Sequence, residues 1–185
     1  MSITMEKAKE ILHKHVREES LRKHCLAVSA AMGAMADYFG EDREHWEAVG
    51  YLHDVDYEQY PEEHCLHVRE MLEPEGVSEE DIRAIISHGY DLTTQEFEPQ
   101  SNMEKSLYAV DELTGIVQAL GLMRPEGLDG LTVKSLRKKF KDHRFAAKCS
   151  REAIQKGCDM LGLDLAVVME QTIKGMQEHK EELGF

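Results

Sequence analysis

The sequence predicts an all-α fold, a single-domain helical bundle, and three observations carry the prediction. Almost every segment repeats its apolar residues at the three- and four-residue spacing of a helix face. No stretch alternates apolar with polar residues as a half-buried strand would. Several helical faces are interrupted by a histidine or an aspartate where an apolar residue belongs. At 185 residues the chain is long enough for one domain, residues 1–185, around a single core.

A first helix is predicted from Met5 to Val16, with His13 and His15 on its solvated face. Ser20 reads as the N-cap of the second helix and Gly40 as its stop. The stripe of that helix is Leu21, Cys25, Val28, Met32, Met35 and Phe39, and His24, beside Leu21 and Val28, faces inward with it. Asp42 caps the third helix, whose stripe of Trp46, Val49 and Gly50 runs into His53, with Asp54 beside it. His45, near the exposed start, is assigned to the surface.

Pro61 opens a fourth helix as a first-turn proline. His64 would share a face there with Val68, Met71 and Leu72, and His67 would follow one turn later. Ser78 with Asp81 forms a capping box, Asp replacing Glu, at the start of the fifth helix. Its stripe is Ile82, Ile85 and Ile86, and His88 stands just before the stop residue Gly89. The irregular stretch from Tyr90 to Asn102 is long enough to expect a functional loop.

The sixth helix, from about Met103 to Leu122, buries Leu107, Val110, Thr114, Val117 and Leu120, and Asp111 stands within that apolar face. A Pro- and Gly-containing loop from Met123 to Thr132 leads to a basic stretch, Val133 to Phe145, anchored by Leu136, Phe140 and Phe145. Two amphipathic helices, about Arg151 to Leu161 and Asp164 to Leu183, close the chain.

With 22 Lys and Arg against 36 Asp and Glu the net charge is −14, so the molecule as a whole repels duplex nucleic acid and anionic membranes. A phosphate-bearing ligand must then be caught locally, by a metal or a small basic patch. No apolar run approaches a membrane span, and Met1-Ser2-Ile3-Thr4-Met5-Glu6-Lys7 has no signal-peptide character. A cytoplasmic location is expected, with the four widely spaced cysteines reduced.

Six polar residues interrupt apolar stripes: His24, His53, Asp54, His64, His88 and Asp111. Burying such groups unpaired costs several kcal/mol, on the order of the penalties for unpartnered polar groups. Mutual hydrogen bonds do not readily satisfy six groups that are all of metal-ligand type. Divalent metal binds neutral imidazole and ionised carboxylate together, and two ions sharing one carboxylate would satisfy the whole set. His67 is the reserve for the place given to His64.

The ordered set His…His-Asp…His…His…Asp resembles the HD-domain superfamily of metal-dependent phosphohydrolases, in its small stand-alone bacterial branch. His24 matches the first histidine, His53-Asp54 the namesake pair, and Asp111, in Ala109-Val110-Asp111-Glu112-Leu113, the closing aspartate. His64 and His88 match the extra histidines of members that hold two metals. The motif core runs from about residue 21 to 117, with helices of about 133–183 packed on it.

The resemblance implies that His24, His53, Asp54 and Asp111 hold one divalent ion and that His64 and His88 hold a second, with Asp54 bridging and catalysis depending on it. The ions would be drawn from Fe, Mn, Co, Ni, Zn or Mg, and a metal-activated water would be the nucleophile. The Gly-Tyr-Pro signature of cyclic-di-GMP phosphodiesterases is absent, and Val55-Asp56-Tyr57-Glu58 is not the acidic run of the deoxynucleotidase branch. A small phosphorylated metabolite, most of all a nucleotide, is therefore the expected substrate; a metal-containing nucleotide sensor without turnover is the alternative.

Lys138, Lys139 and Lys141 are expected to contact the substrate phosphate, being the concentrated positive charge of an acidic chain. Tyr57 and Tyr60 are candidates to stack on a base. Asp56, Glu58 and Glu112 are candidates to protonate the leaving group.

Overall fold

The small and apolar run Ala27 to Ala36 becomes the centre of the molecule. A computed structural model describes residues 2–185, and among them nine α-helices follow one another. They are α1 (Met5–His15), α2 (Glu19–Phe39), α3 (Arg43–Leu52), α4 (Val68–Leu72), α5 (Glu79–Ser87), α6 (Asn102–Met123), α7 (Val133–Lys141), α8 (Arg151–Leu161) and α9 (Leu165–Glu178). Every residue from Ala27 to Ala36 is buried, as befits a helix that is apolar all round. Helix α2 is the hub: α3, α6 and α9 pack against it, α1 packs on α3, and α8 lies on α6. One apolar core takes in residues from Ala8 to Leu183.

Two glycines let the C-terminal helices dock backbone to backbone. A Cβ at Gly175 of α9 would lie 2.3 Å from the Ala30 carbonyl oxygen of α2, and one at Gly157 of α8 would lie 2.5 Å from Cα of Ala109 in α6. The two helices that carry His24 and Asp111 are thus clamped from behind by helices outside the motif. The fold is all-α; the described residues form no strand, only an isolated bridge between Tyr90 and Thr94. No helix among them is long and apolar enough to cross a membrane. All four cysteines are free.

Several boundaries differ from the sequence expectation, each for a physical reason. Helix α2 begins at Glu19, so Ser20 is not its N-cap. The carboxylate of Glu58, from the loop after α3, accepts from the backbone N–H groups of Arg17 (3.0 Å) and Glu18 (2.7 Å), and the Ser20 hydroxyl donates to Glu18 (2.8 Å). Helix α3 ends at Leu52, which makes His53 its C-cap and puts Asp54 in the following turn.

The helix expected from Pro61 is only a 3₁₀ turn, Pro61–Glu63, and α4 does not begin until Val68. Cys65 between them adopts a left-handed backbone (φ 76°), which ends any α-helical run. His45 is not a free surface residue either. Its Nε2 lies 2.6 Å from Oδ1 of the buried Asp81, so the Asp81 carboxylate serves His45 and not the return half of the expected capping box. Ser78 still caps α5 through the Asp81 N–H. Helix α9 stops at Glu178, and Leu183 is buried from a turn.

Candidate metal centre

The same local device aims two of the histidines. His53 and His88 are the C-caps of α3 and α5, where the last carbonyls of a helix lack intrahelical donors. Each ring turns back and donates from Nδ1 to the carbonyl three residues earlier, Gly50 (2.7 Å) and Ile85. A carbonyl only accepts, so the proton must sit on Nδ1, and the neutral ring then presents a bare Nε2 to the interior. His64, in the turn before α4, is fixed by another acceptor: its Nδ1 donates to Oδ1 of Asp56 at 2.8 Å. Asp56 is fully buried, and its second oxygen accepts the His67 N–H at 3.2 Å.

These three nitrogens, joined by Nε2 of His24, converge on two carboxylates. Nε2 of His24 and Nε2 of His53 lie 3.2 Å apart, at 2.9 and 3.0 Å from Oδ1 of Asp111 and at 3.4 and 3.3 Å from Oδ2 of Asp54. Nε2 of His64 and Nε2 of His88 lie 3.1 Å apart, at 3.1 and 3.4 Å from the other oxygen of Asp54, Oδ1. Asp54 therefore stands between two pairs of imidazoles, one oxygen toward each.

Three bare imidazole nitrogens thus face carboxylate oxygens, an arrangement that a bound cation, or protons taken up by the rings, satisfies. Divalent metal fits it: imidazole nitrogens and carboxylate oxygens at mutual contact, with three rings oriented by acceptors on their far side. The titration directions express the same demand. Burial alone would lower His53, but the charges of Asp54 and Asp111 raise it to about 9. Burial would raise Asp54, yet His53, His64 and His88 hold it well below the usual carboxylate range. Burial opposes the charged form of His64 and His88 too, and their anionic partners still raise both.

The cluster forms the floor of an open cavity of about 580 Å³. Its walls bring in Leu21, Tyr57, Gly89, Leu92, Thr93, Glu112 and Lys148. The expected functional loop after α5 contributes through its first turn, Gly89 to Thr93. Glu112, next to Asp111 on α6, is raised to about 7, by burial first and by the negative charge of Asp111 second.

Of the nine residues expected to hold metal or contact the substrate phosphate, the structure brings six together: His24, His53, Asp54, His64, His88 and Asp111. It does not bring the other three. Lys138, Lys139 and Lys141 lie on α7, where Lys138 and Lys141 are exposed and Lys139 sits over the Phe145 ring at 5.0 Å, and none lines the cavity. Lys148, in the loop between α7 and α8, is the one Lys or Arg of the lining. Arg151 holds that loop by donating to the carbonyls of Phe140 (3.1 Å), Ala146 (2.7 Å) and Cys149 (3.1 Å).

His67 points away, bonded to Glu63 and Glu70 and stacked on Tyr60 at 3.6 Å, so Tyr60 is also committed elsewhere. Tyr57 is half-exposed at the rim, with its ring against His64. Of the three carboxyls considered as acids, Asp56 orients His64, Glu58 caps a chain turn, and only Glu112 lines the cavity.

Three residues that matter here were not legible as such. Asp56 gave one faint signal, a second acid beside Val55 in a buried stretch. Cys65, next to His64, has its Sγ 3.8 Å from Nε2 of His88. Burial pushes the Cys65 thiol up, but the neighbouring His88 and His64 outweigh it and bring it to about 6. Lys148 carried no sequence signal.

The sequence model of the HD domain matches residues 21–116, more than half of the chain and the segment that carries all six clustered residues. Comparison with curated proteins and with solved structures gives no match. With its histidine–aspartate pair and both flanking ligand-type residues inside that match, the chain belongs to the HD domain family.

Proposed function

We propose that the protein is a metal-dependent phosphohydrolase acting on a small phosphorylated metabolite, a nucleotide in preference to other classes. The observation that carries this reading is the cluster of four histidines and two aspartates at the floor of an open cavity, with the oxygens of Asp54 directed to its two halves. His24, His53, Asp111 and Oδ2 of Asp54 would hold one divalent ion; His64, His88 and Oδ1 of Asp54 would hold a second. Such ions supply a nucleophile from water near neutral pH and neutralise charge on phosphoryl oxygens.

The chain's own groups do the rest. Nδ1 of His53, His64 and His88 stays protonated against Gly50, Asp56 and Ile85, which keeps each Nε2 bare and fixed. Lys148 offers a cation to an anion that must approach a protein of net charge −14. Glu112 lines the cavity beside the cluster and is raised to about 7 by burial and by Asp111, and we assign it to protonate the leaving oxygen. Tyr57, Leu21 and Leu92 give the rim apolar surface for the organic part of the substrate, which favours a nucleotide over a bare phosphate ester.

The test is a screen of purified, metal-loaded protein against phosphomonoesters, phosphodiesters and nucleotides. Metal-dependent hydrolysis of at least one class is expected, and chelator should abolish it. No turnover of any class by protein of established metal content would leave a metal-containing binding module instead.

A further inference from the structure

We propose that the cleft between α2 and α6 is a second subsite of the same centre and holds one of the two organic groups of a phosphodiester substrate. The inference rests on the hydrolase reading above and narrows its substrate from phosphate esters in general to diesters.

The cleft is a cavity of about 520 Å³ that shares His24 and Ser20 with the cavity over the metal centre. Lys23, His24 and Ala27 form its α2 wall, and Gly115, Ala119 and Leu122 its α6 wall. The α6 residues follow Asp111 at helical spacing and share its face. The cleft therefore leads away from two residues of the centre, His24 and Asp111. His24 is the most open of the four rings, with 28% of its side chain exposed against 14% for His64, 3% for His88 and none for His53. A phosphoryl group held beside it can send substituents into both cavities.

Three observations call for a diester. The centre has apolar surface on two sides, Leu21, Tyr57 and Leu92 in the first cavity and Ala27, Ala119 and Leu122 in the cleft. Leu122 is 71% exposed, so folding leaves that surface uncovered. A monoester has one organic group to cover such surface, and a diester has two.

Cations are scarce as well. Each cavity has a single Lys or Arg in its walls, Lys148 in the first and Lys23 in the cleft, and each also has a glutamate, Glu112 or Glu19. A monoester carries about −1.5 to −2 at neutral pH, whereas a diester keeps a single charge. The cleft also suits an uncharged group with a donor. Gln118 in its wall donates to the Leu183 carbonyl at 3.3 Å, and the buried Oε1 of Gln118 has no donor, which a hydroxyl or amino group of the occupant would supply.

Glu112 lines the first cavity and not the cleft, which sets the direction of cleavage. The alcohol on the side of Leu21, Tyr57 and Leu92 leaves, and the group in the cleft stays on phosphorus. The water oxygen bonds to phosphorus, the P–O bond to the leaving alcohol breaks with its electron pair on oxygen, and Glu112 protonates that oxygen. The proton lost by the water restores Glu112. One diester and one water give one alcohol and one phosphomonoester.

Esters that share a p-nitrophenol leaving group and differ only in the second group test this without any variant. For metal-loaded wild type, kcat/KM should rise by at least about tenfold from methyl p-nitrophenyl phosphate to phenyl p-nitrophenyl phosphate, with p-nitrophenyl phosphate itself the poorest. Ala119→Trp, which fills the cleft, should erase the gain from methyl to phenyl. Calorimetry should find phenyl phosphate, the product that keeps its group in the cleft, bound at least about tenfold more weakly by Ala119→Trp at unchanged metal content. Equal kcat/KM for the two diesters, or faster hydrolysis of p-nitrophenyl phosphate than of either, would overturn the subsite and leave the hydrolase standing. A phenyl preference that persists in folded Ala119→Trp would overturn the cleft as its location. Hydrolysis of no ester at established metal content would remove the hydrolase and the subsite together.

Discussion

Asp56 accepts the Nδ1 proton of His64 at 2.8 Å from a position with no exposed surface. Its other oxygen accepts the His67 N–H at 3.2 Å, so one buried carboxylate fixes both the ring and the turn that carries it. Asparagine at this position has one acceptor oxygen in place of two and would turn an amide N–H₂ toward a donor. Asp56→Asn should therefore weaken the metal of the His64–His88 half by roughly 10–100-fold, the usual penalty for losing an orienting partner, and leave the other half unchanged. Calorimetric titration of the metal-free variant resolves the two affinities, and an unaltered second affinity would show that His64 orients itself.

His64 and His67 make opposite predictions although only two residues separate them. His64 faces Asp54, while His67 is spent on Glu63, Glu70 and the Tyr60 ring. Elemental analysis of reconstituted protein should find His64→Ala short by about one equivalent, as expected when a ligand is lost. His67→Ala should match wild type. The reverse pattern would exchange their roles.

The charge of Lys148 should act on substrate and not on metal. Lys148→Gln should raise KM or lower kcat/KM by about 5–50-fold at low salt, with metal content unchanged, and the deficit should shrink as salt screens the contact. The double change of Lys138 and Lys141 to Gln is the comparison, because those side chains stand on α7 outside the cavity lining. If the double variant loses more than Lys148→Gln, the substrate reaches further over α7 than the cavity does.

His45 gives a pH signature away from the centre. Its bond to Asp81 raises it above the ordinary 6.5, the bond outweighing the opposing effect of burial. A raised histidine stabilises the fold fully below the unfolded pKa and loses that contribution as pH rises through the folded value. The melting temperature of His45→Gln should thus fall below wild type most clearly under pH 6.5 and converge toward it as pH rises above that value. A charge-assisted bond of this kind contributes about 1–2 kcal/mol, or roughly 2–4 °C per kcal/mol at this chain length. A gap that stays constant across the range would mean that the pair is held by packing alone.

The helices and the six inward polar residues were legible because both rest on periodicity, which survives in a single sequence. Gly40, Asp42 and Ser78 were legible as boundary residues for the same reason, each acting within a turn of itself. What failed was set by tertiary contacts. Ser20 looked like a cap, but α2 starts one residue earlier, where Glu58 reaches in from beyond α3 to hold the N–H groups of Arg17 and Glu18 just ahead of the helix. Nothing in Glu63-His64-Cys65-Leu66 announces a left-handed cysteine, so the ring of His64 was placed on a helix that is not there. The lysine run stands on α7 outside the cavity lining, because concentrated charge in a sequence says nothing of where it lies. Lys148 went unseen because Arg151, through backbone carbonyls on both sides of it, decides where its loop runs.

The metal content of Asp54→Ala, set beside wild type after identical reconstitution, tests the centre most directly. Among the described residues Asp54 alone turns its oxygens to both imidazole pairs, Oδ2 toward His24 and His53 and Oδ1 toward His64 and His88. Removing it should take out the second equivalent, weaken the first by at least about 100-fold, and lower hydrolysis by more than any other single change in the cluster. Asp54→Ala that keeps two equivalents at wild-type affinity would contradict the bridged metal centre and the hydrolase built on it.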